Sequence, residues 1–132
     1  MTYLKTYLVT FIVFFAIDLL WLGFLAKDLY HSELGDFMAA KTNWPAAIIF
    51  YLIYIAGLIY YAVNPALDSA SWLEALKLGA IFGFITYLTY DMTNLATLKD
   101  WPIKITIIDI IWGSSLNALT TFASYHIIDY IS

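Results

Sequence analysis

The sequence predicts an all-α integral membrane protein, a bundle of four transmembrane helices with short connections and an amphipathic first loop. Of its 132 residues, 63% are apolar and only 12% are charged, whereas soluble domains are about half apolar and about a quarter charged. A chain of this length corresponds to one domain, and a small soluble domain could not bury so much apolar surface. Residues 1–132 are therefore predicted to form a single transmembrane domain in lipid.

Four apolar runs predict the membrane spans. Each run has about 20 residues, which is enough for a helix to cross a hydrocarbon core of roughly 30 Å. The second run has no charged residue, and each of the other three contains one aspartate. The predicted spans are residues 7–26, 44–63, 78–98 and 103–125.

The first run has an alternative interpretation as a secretory signal peptide, because Lys5 precedes it. Asp18 and Trp21 interrupt the apolar core that a signal peptide needs, and no Ala-x-Ala cleavage site follows. A first transmembrane helix is the favoured interpretation.

The connections between the runs also carry signals. Loop 1, residues 27–43, is the longest and is charged, and its segment 28–40 is predicted to be an amphipathic helix at the membrane interface. Loop 2 contains Asn64-Pro65 and Asp68-Ser69, which predict a turn, followed by Ser71 with a glutamate three residues later, the spacing of a helix capping box. Loop 3 is a tight turn, and its Pro102 suits the first turn of the last helix.

The lysines predict the orientation. Loops 1 and 3 share one side of the membrane and hold four lysines, whereas the opposite side holds two. Because cytoplasmic loops carry an excess of lysine and arginine, loops 1 and 3 are predicted to be cytoplasmic and both termini to lie outside.

The three aspartates within the spans carry most of the functional argument. Asp18 lies nine residues before Lys27, Asp91 eight before Lys99, and Asp109 nine after Asp100. At a rise of 1.5 Å per residue, all three lie roughly 12–14 Å inside the same membrane face. Carboxyl groups at such depth face the bundle interior and often mark function, and carboxyl groups that lie close together there cannot all be ionised. The alternative is that they are protonated and only hydrogen-bond one helix to another.

Aromatic and amide side chains accompany these aspartates. Trp21 and Trp112 each follow an aspartate at the i, i+3 spacing of one helix face. This spacing predicts an indole beside each aspartate of the same helix, with Trp21 nearer the loop 1 face and Trp112 nearer the bilayer centre. The residues predicted to bind a ligand or a proton are Asp18, Trp21, Tyr87, Tyr90, Asp91, Asn94, Asp109, Trp112 and Asn117.

Three glycines predict close helix packing. Gly79 and Gly83 form a small-xxx-small pair on the third helix, and Gly113 lies on the polar face of the fourth. Such residues let two transmembrane helices approach closely.

Composition also narrows the function classes. Cysteine is absent, which excludes thiolate chemistry and cysteine-ligated metals, and the two histidines lie outside or at the edge of the apolar runs. No metal site and no cofactor are therefore predicted. The chain has no basic stripe of the kind that nucleic-acid binding requires, so the expected partners are the lipid bilayer, a small-molecule or lipid ligand, and a second copy of the chain.

Several segments resemble one family of small bacterial membrane proteins that is known only as a domain of unknown function. The resemblance is best in the TYLTYDMTNLATL run of the third helix, residues 86–98, and includes Trp101-Pro102, the segment from Asp109 to Gly113, and the segment from Asp18 to Gly23. It implies a four-helix protein of the bacterial inner membrane and no established activity.

Three functions remain open at this level. The first is binding or transport of a lipophilic or cationic small molecule coupled to protons, since acids beside aromatic rings suit cation capture. The second is a membrane enzyme acting on a lipid or isoprenoid, with aspartates as general acid and base. The third is an accessory subunit that packs against a larger membrane complex.

Overall fold

The computed structural model describes residues 2–25, 27–35, 41 and 43–132, and all regular structure within them is helical. Two π-helical turns, Trp21–Leu25 and Ile59–Val63, extend the first helix and join the third to the fourth. The helices are α1 Thr2–Leu20, α2 Lys27–Leu34, α3 Trp44–Leu58, α4 Asn64–Ser69, α5 Trp72–Thr97 and α6 Ile103–Ile131.

Four helical stretches in the described part of the chain are long and apolar enough to cross a membrane. They are Thr2–Gly23, Trp44–Ser69, Trp72–Thr97 and Ile103–Ile131. The prediction of an all-α, four-helix membrane bundle is thereby confirmed. The limits of the lipid-embedded part within each helix stay a prediction.

The second stretch continues where the sequence predicts a turn. The backbone passes from α3 through the π-helical turn into α4 without leaving the helical region, and Pro65 lies in the first turn of α4. A proline within a continuous helix removes one backbone hydrogen bond, and a local π-helical adjustment such as the turn before Pro65 can accommodate it. The chain turns at Ala70, directly after Asp68-Ser69, where φ is 51°.

The ends of α5 follow the sequence signals. The Ser71 hydroxyl accepts a hydrogen bond of 3.1 Å from the backbone N–H of Glu74, which confirms the predicted capping position. A tight turn through Asp100, whose φ is 62°, then leads into α6 just after Pro102.

Helices α5 and α6 are antiparallel and pack closely through glycine. A methyl group at Gly79 would overlap the backbone carbonyl oxygen of Asn117, and one at Gly83 would overlap that of Gly113. The Tyr87 ring, one turn further along α5, packs directly on Gly113. Close contact between α5 and α6 brings the polar faces of the two helices together.

Helix α2 forms part of the predicted amphipathic segment in loop 1. It is linked to α6 by an ion pair of 3.7 Å between Glu33 and Lys104. Residues 36–40 of that segment lie outside the described residues, so its interfacial position stays a prediction.

Candidate functional site

The structure brings the three intramembrane aspartates together. The carboxyl group of Asp91 on α5 contacts that of Asp109 on α6. Asp109 is also close enough to Asp18 on α1 to act on it electrostatically. Asp109 therefore interacts with both of the other two, and these three residues are called the carboxyl cluster below.

Asp91 is the most enclosed member of the cluster. It is fully buried, and neither of its carboxyl oxygens receives a hydrogen bond from an N–H or O–H group in the described part of the chain. The polar group that contacts it is the Asp109 carboxyl. Two carboxyl groups in contact at low dielectric cannot both be ionised, so this pair is suited to hold one proton between them.

The two tryptophans have exchanged partners relative to the sequence prediction. Trp112 of α6 donates a hydrogen bond of 3.3 Å to Asp18 of α1. Trp21, in the π-helical turn after α1, donates to the Tyr30 hydroxyl at 3.3 Å, and this hydroxyl donates to Asp109 of α6 at 2.8 Å. The indole rings stack with a centroid distance of 4.5 Å. Each indole therefore bonds toward the neighbouring helix, and the expected difference in depth between the rings stays a prediction.

Tyr30 is a member of the site that the sequence prediction missed. Helix α2 places its hydroxyl against Asp109. Burial, and secondly the negative charge of Asp109, raise the pKa of Tyr30 above its ordinary value of 10.0. The phenol therefore keeps its proton and acts as a donor to the cluster. The one available signal was an aromatic side chain within a short helix of mostly polar residues.

An aromatic cleft of about 570 Å³ leads to the cluster. It lies between α3 and α5, and Asp109 is the one carboxylate in its wall. Its other lining residues are Phe14, Phe50, Tyr51, Tyr54, Ile85, Thr86, Tyr87, Thr89, Tyr90 and Thr93.

A hydrogen-bonded bridge joins two lining residues of the cleft to α6. The Tyr54 hydroxyl of α3 lies 3.0 Å from the Thr86 hydroxyl of α5 and donates to Asn117 Oδ1 of α6 at 2.9 Å. Asn117 also donates from Nδ2 to the Gly113 carbonyl oxygen at 2.7 Å. Asn117 thus holds the bridge in place, and Tyr54 and Thr86 are further residues that the sequence prediction missed.

The other predicted site residues lie on the α5 side of the cleft. Tyr87 and Tyr90 line it, and the Tyr90 ring packs edge-on against Trp101 at 6.0 Å. Asn94 contacts the Tyr90 hydroxyl and lies outside the cleft lining. Their roles toward a ligand or a proton stay predictions.

None of the three aspartates forms an ion pair with a described side chain. The two ion pairs among the described residues join Glu74 to Lys77 and Glu33 to Lys104. The same residues contain no group of three histidine, aspartate or glutamate side chains arranged to hold a metal ion.

Comparison with known proteins identifies one family. The model of a family described as "Predicted membrane protein (DUF2177)" matches residues 3–126, nearly the whole chain. No curated protein and no solved structure matches the chain.

Proposed function

We propose that the chain, which belongs to the DUF2177 family of membrane proteins, binds a lipophilic organic cation in the cleft between α3 and α5 and exchanges it for a proton. The observation that carries this proposal is the position of Asp109. It is at once the carboxylate in the wall of an aromatic cleft and the partner of the buried Asp91.

The lining of the cleft suits such a ligand. Six of the lining residues are phenylalanine or tyrosine, and the faces of aromatic rings attract cations. The apolar surfaces of the same rings accept a hydrophobic body. Asp109 supplies the counter-charge, and a ligand pocket of this kind typically combines apolar walls with a few polar groups.

The carboxyl pair supplies the coupling to protons. Without a ligand, Asp91 and Asp109 hold one proton between them, because two adjacent negative charges are costly at low dielectric. A cation bound at Asp109 neutralises the second charge, so the proton can leave. Binding of the cation and binding of the proton then oppose each other.

Entry of the ligand from the membrane follows from the position of the cleft. Phe50 of α3 and Ile85 of α5 line it and are 54% and 55% exposed on a surface that lies in lipid. A lipophilic cation dissolved in the bilayer reaches the cleft sideways.

The proposal also covers localisation: the protein lies in the inner membrane, with loops 1 and 3 on the cytoplasmic side. It includes a homodimer as well, in which a second copy covers the open side.

Equilibrium binding of radiolabelled tetraphenylphosphonium to the purified protein in nanodiscs tests this proposal. We expect saturable binding to the wild type and about tenfold to hundredfold weaker binding to Asp109→Asn, because a charge-assisted contact is lost. Asp129→Asn is the matched control, since Asp129 is exposed near the C-terminus. Equal affinity of the wild type and Asp109→Asn would refute the proposal.

A second candidate function rests on the contact between Asp91 and Asp109. Two carboxyl groups that share a proton can act as general acid and base, here on a lipid or isoprenoid that enters the cleft. Mass spectrometry of membrane lipids incubated with the wild type and with Asp91→Asn distinguishes the two functions. A product that only the wild type forms would favour the enzyme. If Asn at all three aspartates left a deletion phenotype fully complemented, an accessory role would replace both.

A further inference from the structure

A second group of buried polar side chains lies on the other side of the bundle from the carboxyl cluster. The hydroxyls of Thr10 on α1 and of Thr120 and Ser124 on α6 are fully buried and have no hydrogen-bond partner within the described part of the chain. Thr6, one turn before Thr10, is also buried. A buried hydroxyl without a partner is costly, and in native proteins such groups usually bond to internal water.

Counting along α1 and α6 relates these hydroxyls to one another. The two helices run in opposite directions, and Asp18 and Trp112 are hydrogen-bonded across them. Counted from that bond in steps of four residues, Phe14 aligns with Leu116, Thr10 with Thr120, and Thr6 with Ser124. Phe14 and Leu116 belong to one buried apolar cluster, which lies along both helices between the carboxyl cluster and the hydroxyls.

The bridge between Tyr54 and Asn117 spans this apolar cluster. Tyr54 lies beside the Phe14 ring, with a centroid distance of 5.6 Å, and its hydroxyl donates to Asn117, next to Leu116 in the chain. Tyr54 also lines the same cleft as Asp109. Polar groups therefore follow one another from Asp109 through Tyr54 and Asn117 to the buried hydroxyls.

We infer that the hydroxyls of Thr6, Thr10, Thr120 and Ser124 bind water molecules that form the second half of a transmembrane proton path. Through this path the proton released by the carboxyl pair passes to the membrane face where the chain termini lie. Each step moves a proton between neighbouring waters and hydroxyls, and no other reactant is consumed. The Asn117 amide does not itself carry a proton, so water bound beside the bridge between Tyr54 and Asn117 passes the proton across the apolar cluster. The role in coupling rests on the proposed function, whereas the hydration of the hydroxyls does not.

Silver accessibility tests the hydration, and the absence of cysteine from the chain makes the assay simple. Single cysteines replace Thr10, Thr120 or Ser124 in the full chain in liposomes, with Leu116→Cys as the buried apolar control and Ser69→Cys as the exposed one. The vesicles are treated with Ag⁺, washed, and denatured in the presence of a fluorescent maleimide. A thiol that water reaches binds Ag⁺ and escapes the maleimide label.

We expect Ag⁺ to protect the cysteines at 10, 120 and 124 nearly as well as the one at 69, and to leave the one at 116 labelled. Labelling at 10, 120 and 124 equal to that at 116 would overturn the inference. If the cysteine variants fail to fold, water-edited solid-state NMR on the unsubstituted protein tests the same hydration. There the threonine and serine signals should gain magnetisation from water faster than Leu116, and equal rates would also overturn it.

A coupling assay separates this inference from the proposed function. The double variant Thr10→Val, Thr120→Val should bind tetraphenylphosphonium with unchanged affinity, because neither residue lines the cleft. Its uptake of tetraphenylphosphonium driven by a pH gradient should fall by about tenfold or more, as expected when a hydrogen-bonded step is lost. Unchanged uptake would contradict the path, while absence of binding by the wild type would contradict the proposed function alone.

Discussion

The indole rings of Trp21 and Trp112 lie face to face, with centroids 4.5 Å apart and 11° between their planes. Each ring belongs to the helix that carries one aspartate and is hydrogen-bonded toward the aspartate of the other helix. The stack therefore fixes α1 against α6 at the depth of the carboxyl cluster. It also positions Tyr30, through which α2 contacts Asp109.

The stacked indoles should give an exciton couplet in circular dichroism. We expect the couplet to disappear in Trp21→Phe and in Trp112→Phe alike, because either substitution removes one of two coupled transitions. A double-mutant cycle should assign the pair a coupling energy of about 0.5–1.5 kcal/mol. Trp72→Phe is the control, since Trp72 is exposed and packs against Phe122. A couplet that survives in both single variants would show that the rings are not stacked.

Removing the Tyr30 hydroxyl should weaken cation binding. The phenol donates a hydrogen bond to Asp109 and holds its carboxyl group in place. In Tyr30→Phe that hydrogen bond is lost, so tetraphenylphosphonium should bind about tenfold more weakly. Tyr130→Phe, at an exposed position, should bind as the wild type does. Unchanged affinity of Tyr30→Phe would separate Tyr30 from the site.

Stability at alkaline pH should also report on Tyr30. Its pKa is raised above 10.0 in the folded protein by burial and by Asp109. The contribution of Tyr30 to the unfolding free energy is therefore fully present below the pKa that tyrosine has in the unfolded chain. It is lost as the pH rises above that value toward the raised pKa of the folded protein. Between pH about 9 and about 11, the unfolding free energy in bicelles should fall more steeply for the wild type than for Tyr30→Phe. Parallel curves would contradict the raised pKa.

Alanine at Gly83 should weaken the contact between α5 and α6. A β-carbon there would overlap the Gly113 carbonyl oxygen, which is backbone and cannot turn away. We expect a loss of about 1–3 kcal/mol in SDS unfolding, as for other overpacked interfaces. Gly57→Ala is the matched control, because its β-carbon would lie 3.4 Å from the Phe82 ring, an ordinary contact. Equal stability of the two variants would mean that α5 and α6 lie further apart at Gly83 than the structure shows.

Much of the architecture could be predicted because it depends on distances along one helix. Apolar runs of sufficient length predict the four spans, and a fixed rise per residue relates Asp18, Asp91 and Asp109 in depth. The serine that begins α5 could be recognised because a capping interaction is local.

The partners within the site could not be predicted, because they depend on how neighbouring helices are rotated. The i, i+3 spacing places Trp112 on the same face as Asp109, but its side chain reaches Asp18 of α1. Tyr30 and Tyr54 contact groups far away in the chain. The helical path through Pro65 depends likewise on the π-helical turn before it.

Proton release on cation binding tests the central claim most directly. Purified protein in weakly buffered detergent solution is mixed with saturating tetraphenylphosphonium, and a pH indicator dye records the change. If Asp91 and Asp109 share one proton that the cation replaces, the wild type should release about one proton per chain, and Asp109→Asn should release none. Saturable binding to the wild type without proton release at any pH would contradict the account.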